Sequence, residues 1–454
     1  MSHPAVLGDE SPTVPGGRPL PRVPFRALLD RLLHPEKERM DMHGGLRDIV
    51  DAHGPVACQS LPMLKMVNMM GPDANRLVLL DQERIFSARK PWMAIMGRIF
   101  PNGLLLMDGE QHKTDRRIMH TAFKRPVLRS YTERMNPMIA SRVEAWDGGD
   151  GPVEMFPLVK RLTLDMAARI FVGAELGPRT DEMKTAFEHL VAASMSRIRL
   201  PIPGLEFDRG LKARRFMKRF LAELIEEKRE GDASDLLAHL VRTPTPEGER
   251  FTDQEIIDHM SFLMMAAHDT TTSTLCSMIY ELARHPDWQE RIREEARAIG
   301  GDDLAFDAVG EMPSAALALS ETLRRYPPLP VIPRIAERDF EFQGYRVPAG
   351  ALVVISPIFT HHMEEWWDDP WRFDPDRFGP ERAEHERHSH SFIPFGGGPH
   401  MCLGKRFAET QVTAVLFHLL RRYRIRVAEG YEMPVQQAPI SKPCDGLPVY
   451  LDRL

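Results

Sequence analysis

A chain of 454 residues, 43% hydrophobic and 27% charged, has the composition of an ordinary globular protein and is long enough to bury one extended core. Its net charge of -6 argues against nucleic acid as a general partner. The four cysteines, Cys58, Cys276, Cys402 and Cys444, lie far apart without CxxC spacing, which excludes a zinc ribbon or a disulfide framework and suits a reducing, cytoplasmic location.

Residues 1–24 are rich in proline and glycine and have no apolar core segment, so they read as a mobile arm and not as a secretory signal or membrane anchor. Nowhere does the chain reach the roughly 18 uninterrupted apolar residues of a spanning helix. A single domain is expected over 25–454. Its first apolar runs, PVACQSLP and MLKMVNMM, suit strands of a small sheet. From about residue 108 to 325 the pattern turns mainly helical, with breaks at 148–151, at 201–204 and at PTPEGE after Thr243. Thr252 and Glu255 form a capping box, with Phe251 and Ile256 as its hydrophobic staple, and start a helix expected to end near Arg284, before Pro286. Residues 260–267 carry no charge, which predicts burial on all sides.

Inside that helix AAHDTT, residues 266–271, puts an acid and hydroxyls into apolar surroundings, where they must be bonded or used. Helical threonines commonly bond back to a carbonyl one turn earlier, which is the simpler account of them. Farther on, ALSETLRRYPP sets Glu321 and Arg324 three residues apart on one helical face before a proline stop. Residues 338–356 alternate around Gly344 and Gly350 and read as hairpin strands, residues 403–422 return to helical spacing, and PCDGLPVYLD turns into a final strand. The sum is mainly α with a minor β region.

The most informative segment is FGGGPHMCLG, residues 395–404. A lone cysteine in such a chain is ordinarily an inert small hydrophobe. Cys402, however, sits past a glycine turn and before a helix, where free amides and the helix dipole favour a thiolate, and a soft anionic sulfur suits iron. Gly396, Gly397 and Gly398 keep bulk away, so that a flat cofactor could lie against the turn. Phe395, Gly398, His400, Cys402 and Gly404 fill every slot of a pattern that resembles the haem-binding signature of the cytochromes P450, with histidine where arginine is commoner.

That resemblance extends to two further motifs and implies the P450 fold, an α-rich and a β-rich region around a buried haem. It implies that Cys402 is the axial ligand of a haem b iron, and that Asp269 and Thr270 deliver protons to bound dioxygen, with Ala267 where the family has glycine. It implies that His112, Arg116, Arg334 and His400 contact the haem propionates, and that Glu321, Arg324 and Arg377 form a buried structural network. The activity implied is a haem-thiolate monooxygenase of a hydrophobic lipid, terpenoid or steroid-like molecule. A peroxygenase or isomerase and a non-catalytic haem protein are the alternatives. With no GxxxxGK, GxGxxG or flavin-like segment, electrons from NAD(P)H are expected through a separate ferredoxin and its reductase. By position in the family, 91–100 and 194–207 would shape the substrate pocket, and Lys113, Arg117, Lys405, Arg406, Arg421 and Arg422 would offer a basic docking face on the thiolate side. The histidines at 361, 362, 385, 388 and 390 read as lying in polar loops without a companion cysteine or metal-ligand spacing.

Overall fold

A computed structural model describes residues 17–24, 34–61, 64–146, 149, 151–173, 178–194, 196, 198–231, 235–244 and 248–454. Of the arm expected over 1–24, residues 1–16 lie outside this set. The rest is fastened to the sheet region, where Arg18 bridges to Tyr345 and Arg22 to Cys58, and Val23 is buried.

The long helix runs Asp253–Arg284, and its capping box forms as the sequence predicts: Glu255 N–H donates to Thr252 Oγ1, and Thr252 N–H to Glu255 Oε2 at 2.7 Å. Around it lie helices Met155–Ala167, Pro313–Arg325 and Lys405–Arg422, all within one large apolar cluster that includes Met264, Leu275, Ile279 and Phe417. Thr163 and Thr272 hydroxyls meet at 2.7 Å across two of these helices, so a polar pair is satisfied inside the core. Not all of 260–267 is packed in protein, however. Leu263, Ala266 and Ala267 are half-buried because they form the wall of a cavity.

The minor β region is a five-stranded sheet in the order Val56–Leu61, Leu64–Met69, Leu352–Ile355, Ile332–Ala336 and Phe86–Ser87. The two early apolar runs make its first hairpin, with Cys58 opposite Val67. Of the expected 338–356 hairpin only Phe340–Phe342 and Tyr345–Val347 pair with each other, while Leu352–Ile355 inserts between two strands of the larger sheet because its Val353 and Ile355 belong to that core. The final strand, Pro448–Arg453, joins Tyr423–Arg426 as expected. No helix among the described residues is long and apolar enough to cross a membrane.

A charged network lies fully buried beside the sheet. Arg324 donates to Glu321 through Nε at 2.7 Å and Nη2 at 2.9 Å, and Arg377 Nε donates to the same carboxylate at 3.2 Å. Arg377 Nη1 also donates to Glu384 at 2.8 Å, so two acids balance two guanidinium groups. Spare donors reach carbonyls, among them His361 and Pro370, each at 2.7 Å from Arg324. Removing one member would strand a charge, at a cost of about 3–5 kcal/mol. His361 and His362, expected in a polar loop, are instead buried at the end of the short helix Pro357–Thr360. Nδ1–H of His361 donates to the Arg324 carbonyl at 3.2 Å, and its Nε2 accepts the Ile393 N–H at 2.9 Å.

Burial, with the Arg324 charge adding to it, pushes the His361 pKa down to about 3. Above its ordinary value of 6.5 the ring is neutral in both folded and unfolded chains. Below that value the unfolded chain takes up a proton that the folded protein refuses, so stability falls with falling pH until about 3. His361→Gln can keep both bonds without titrating. Urea unfolding at pH 7 and pH 5 should therefore show a smaller acid loss in this variant, by about 2 kcal/mol; equal losses in both proteins would contradict the assignment.

Candidate functional site

A cavity of about 410 Å³ lies between the long helix and the 395–404 turn. Its walls are apolar, with Trp92, Met96, Phe262, Leu263, Leu329 and Val331 among them, and Cys402, Thr270, His112, Arg116, Arg334 and His400 also line it. The structure thus brings together the cysteine, one of the two proton-relay candidates and all four cationic or imidazole candidates. Phe395 and Gly404 line it as well.

The turn closes on itself through Cys402 N–H, which donates to the Phe395 carbonyl at 2.9 Å, and Met401 N–H, which donates to Gly398 at 3.1 Å. Gly396 and Gly398 take φ of 67° and 59°. At Gly398 a Cβ would stand 2.0 Å from the Leu79 carbonyl oxygen, so that glycine answers to the helix Pro72–Leu80 and not to a cofactor. Gly397 is extended and faces the Leu79 side chain at 3.3 Å, leaving Gly396 as the glycine of the three that lines the cavity.

Cys402 is exposed where it faces the open cavity, with the turn and the following helix packed around its other sides. Enclosure pushes its thiol above the ordinary value, while the Gly404 N–H, Arg116 and Lys405 pull it down.

At one edge of the cavity the His112 and His400 rings lie against each other, tilted by 30°, with centroids 4.0 Å apart. Burial and the neighbouring Arg116 hold His112 near pKa 4, and burial with His112 and Arg334 holds His400 near 3. Burial lowers Arg334 to about 10 and also lowers Arg116. Asp108, which precedes helix Gly109–Thr121 without a side-chain bond to it and accepts the Ala88 N–H at 3.0 Å, stands 3.8 Å from His400 and only partly offsets this charge. A flat apolar group bearing two carboxylates fits such a site: the cationic edge would take the carboxylates, and the thiol sulfur a central metal.

On the long helix, Thr270 donates its hydroxyl to the Ala266 carbonyl at 2.7 Å, and Ala267 presents its methyl in the cavity wall. Asp269 does not line the cavity. Its carboxylate stands 2.8 Å from His268 Nδ1 and is 20% exposed, because residue 269 falls on the neighbouring face of the helix.

Segment 91–100 contributes Trp92, Ile95 and Met96 to the cavity. Segment 194–207 does not line it among the described residues, and corrects the expectation. It packs outside 91–100, with Arg98 Nη1 donating to the Arg199 carbonyl at 2.7 Å, and exposes Ile198, Leu200 and Ile202. The six basic residues expected as a docking face are largely paired: Lys113 with Glu110, Arg117 with Glu249, Arg422 with Glu144, and Lys405 and Arg406 with the shared Glu409. Arg421 donates to the Gly301 carbonyl. What remains is a local surplus at Lys405 and Arg406, the latter 83% exposed.

A sequence profile of the family described as Cytochrome P450 matches residues 19–444. The chain is 38% identical over 406 residues to a protein of Mycobacterium tuberculosis (strain ATCC 25618 / H37Rv) provisionally named cytochrome P450 136, covering 88% of this chain and 82% of the relative. It is 29% identical over 393 residues to taxane 10-beta-hydroxylase of Taxus cuspidata, covering 83% and 77%. A retinoic acid-bound cyanobacterial CYP120A1 superposes with a TM-score of 0.85 at 26% identity, over 96% of this chain and 99% of that one.

The glycines make a test of the turn. Gly398→Ala combines a left-handed backbone with a clash against Leu79 oxygen and should lower the fraction of protein that retains haem, with a loss of more than about 2 kcal/mol in stability. Gly397→Ala needs only a small shift of the Leu79 side chain and should cost less. Thermal unfolding and haem content of the two variants compare them; equal losses would remove the role assigned to the Leu79 contact.

Proposed function

Because the chain belongs to the cytochrome P450 family and is a monooxygenase of it, we propose that Cys402 is its iron ligand, that Thr270 handles the proton for oxygen activation, and that it hydroxylates a lipid-sized apolar molecule. The reading rests on one observation: the Cys402 thiol and the Thr270 hydroxyl line the same apolar cavity, with the cationic cluster at its edge. Bound there, haem b supplies the iron that activates dioxygen and inserts one oxygen atom into a C–H bond.

The rest is work for the chain's own side chains. Arg116, Arg334, His112 and His400 would hold the two propionates, and the negative charge brought in would offset the burial of these groups. The Gly404 N–H steadies negative charge on the Cys402 sulfur. Apolar walls orient the substrate and exclude water, which strengthens every electrostatic contact inside. Thr270, whose own proton goes to the Ala266 carbonyl, keeps its lone pairs to take and hold another hydrogen bond at Oγ1. Asp269, partly exposed beside His268, would pass the proton between solvent and that position. A relative named for taxane hydroxylation and a neighbour holding retinoic acid support a terpenoid-like substrate. Electrons come from NAD(P)H through a ferredoxin and its reductase.

Reduced protein under carbon monoxide should show the red-shifted Soret band of thiolate ligation, and Cys402→Ala should lose it. Thr270→Ala should bind substrate normally yet divert most reducing equivalents to peroxide or water. Unchanged coupling of NAD(P)H use to product in that variant would refute its proton role.

The charge surplus at Arg406, close to the thiolate wall, favours an acidic iron–sulfur donor docking there. First-electron transfer should slow as salt rises, since screening shortens to about 8 Å at physiological ionic strength. Arg406→Glu should slow it further while leaving the carbon monoxide spectrum intact; a rate indifferent to salt and to this reversal would exclude this face.

A further inference from the structure

We infer that residues 198–205, with the basic helix face that follows them, dock the protein on the surface of an anionic lipid bilayer. Of the described residues, nine large hydrophobic side chains are exposed, and four of them, Ile198 at 55%, Leu200 at 58%, Ile202 at 47% and Leu205 at 37%, fall within these eight positions. Single exposed hydrophobics are ordinary, whereas a contiguous set marks a surface that something covers. None of the four lines the cavity.

Hydrogen bonds fix the segment in this orientation. Arg98 donates to the Arg199 carbonyl at 2.7 Å, Arg199 Nη1 donates to the Ala94 carbonyl at 2.5 Å, and the Arg98 guanidinium lies over the Phe207 ring at 4.5 Å. Leu205 N–H donates to the Ile202 carbonyl at 3.1 Å, and Pro201 and Pro203 keep the segment from forming helix. Helix Glu206–Glu230 then starts at once. It buries Phe207, Gly210, Ala213, Met217 and Phe220, and leaves Arg209, Lys212, Arg215 and Arg219 exposed at intervals of three or four residues. Arg209 pairs with Glu206 and Lys212 with Asp208, while Arg215, Lys218 and Arg219 form no ion pair among the described residues. Residues 198–219 carry seven basic and two acidic side chains, in a chain whose net charge is -6.

An apolar tip beside a cationic face matches the two layers of a membrane surface: hydrocarbon takes the aliphatic side chains, and anionic headgroups take the guanidinium and ammonium groups. A stable protein interface uses about 20–30 residues a side, far more than this tip provides, whereas docking at a bilayer surface needs only a few apolar side chains and nearby positive charge. Because no helix among the described residues is long and apolar enough to span, the contact is peripheral. On the apolar-substrate reading, which delivery of substrate requires, the place of the tip matters as well. Arg98 and Arg199 fasten it to 91–100, whose Trp92, Ile95 and Met96 line the cavity. A molecule dissolved in the bilayer then meets the protein at that wall, which makes membrane-dissolved apolar compounds the substrate class.

Flotation of the full-length, haem-loaded protein with vesicles of phosphatidylcholine, alone or mixed equally with phosphatidylglycerol, reads the docking directly. The mixed vesicles should bind at least about ten-fold more tightly than the neutral ones, and the difference should shrink as salt rises from about 0.05 M to about 0.5 M. Ile198→Ser, Leu200→Ser and Ile202→Ser together should weaken binding to the mixed vesicles at least about ten-fold. Arg215→Glu with Arg219→Glu should weaken it more than about twenty-fold, since each basic residue near such a surface contributes about five-fold. Both variants should keep the carbon monoxide spectrum and the thermal midpoint of the wild type, which separates lost docking from lost folding. Docking is overturned if the wild type binds neither vesicle or both alike, or if either variant binds as the wild type does. It is overturned too if the wild type ignores vesicles and the serine variant abolishes self-association, which would assign the tip to a second copy of the chain. A missing thiolate spectrum in the wild type would instead refute the haem reading and leave the vesicle result standing.

Discussion

Four buried charged side chains that cancel one another hold the site in place. Glu321 and Glu384 against Arg324 and Arg377 would each be expensive to bury alone, and together they leave the spare donors to reach carbonyls. Through these bonds the helix Pro313–Arg325 is tied to residues 368–384, and through His361 to the Ile393 amide, nine residues before Cys402. The direction of the cysteine turn is thus set from behind, by charge pairing remote from the cavity. Leu79 sets it from the side, where its carbonyl leaves room for a glycine at 398 and for nothing larger.

With the turn so held, the cavity places strongly polar groups at few points in apolar surroundings. Each has a distinct physical state: a thiol raised by enclosure, two imidazoles held neutral by burial and nearby cations, and a hydroxyl bonded back to its own helix. In so low a dielectric a single anion or proton changes the energy of all its neighbours. The threonines illustrate how structure and chemistry coexist. Thr270 and Thr274 both follow the ordinary habit of bonding one turn back, yet both line the cavity and retain acceptor capacity.

Contacts that close within a few residues were legible in the sequence. The capping box at Thr252 and Glu255, the pairing of Glu321 with Arg324 and the turn that ends at Cys402 all follow from local spacing, since residues three or four apart on a helix must meet. A likeness to a known signature then supplied Arg377, His112, Arg116 and Arg334, which local spacing could not join. Glu384, His361 and the pair of Asp115 with His259 went unseen. Asp115 and His259 are 144 residues apart, and no pattern in either stretch points to the other.

By itself the sequence determined which segments are helix or strand, which cysteine has an unusual setting, and that acid and hydroxyl groups interrupt an apolar helix. These depend on periodicity and on turn chemistry. The tertiary structure alone decided which face of that helix meets the cavity, so that Thr270 lines it and Asp269 does not. It alone decided that 91–100 is a wall while 194–207, among the described residues, lies outside it. Burial and long-range proximity are sums over every neighbouring element, and no local window of sequence contains that sum.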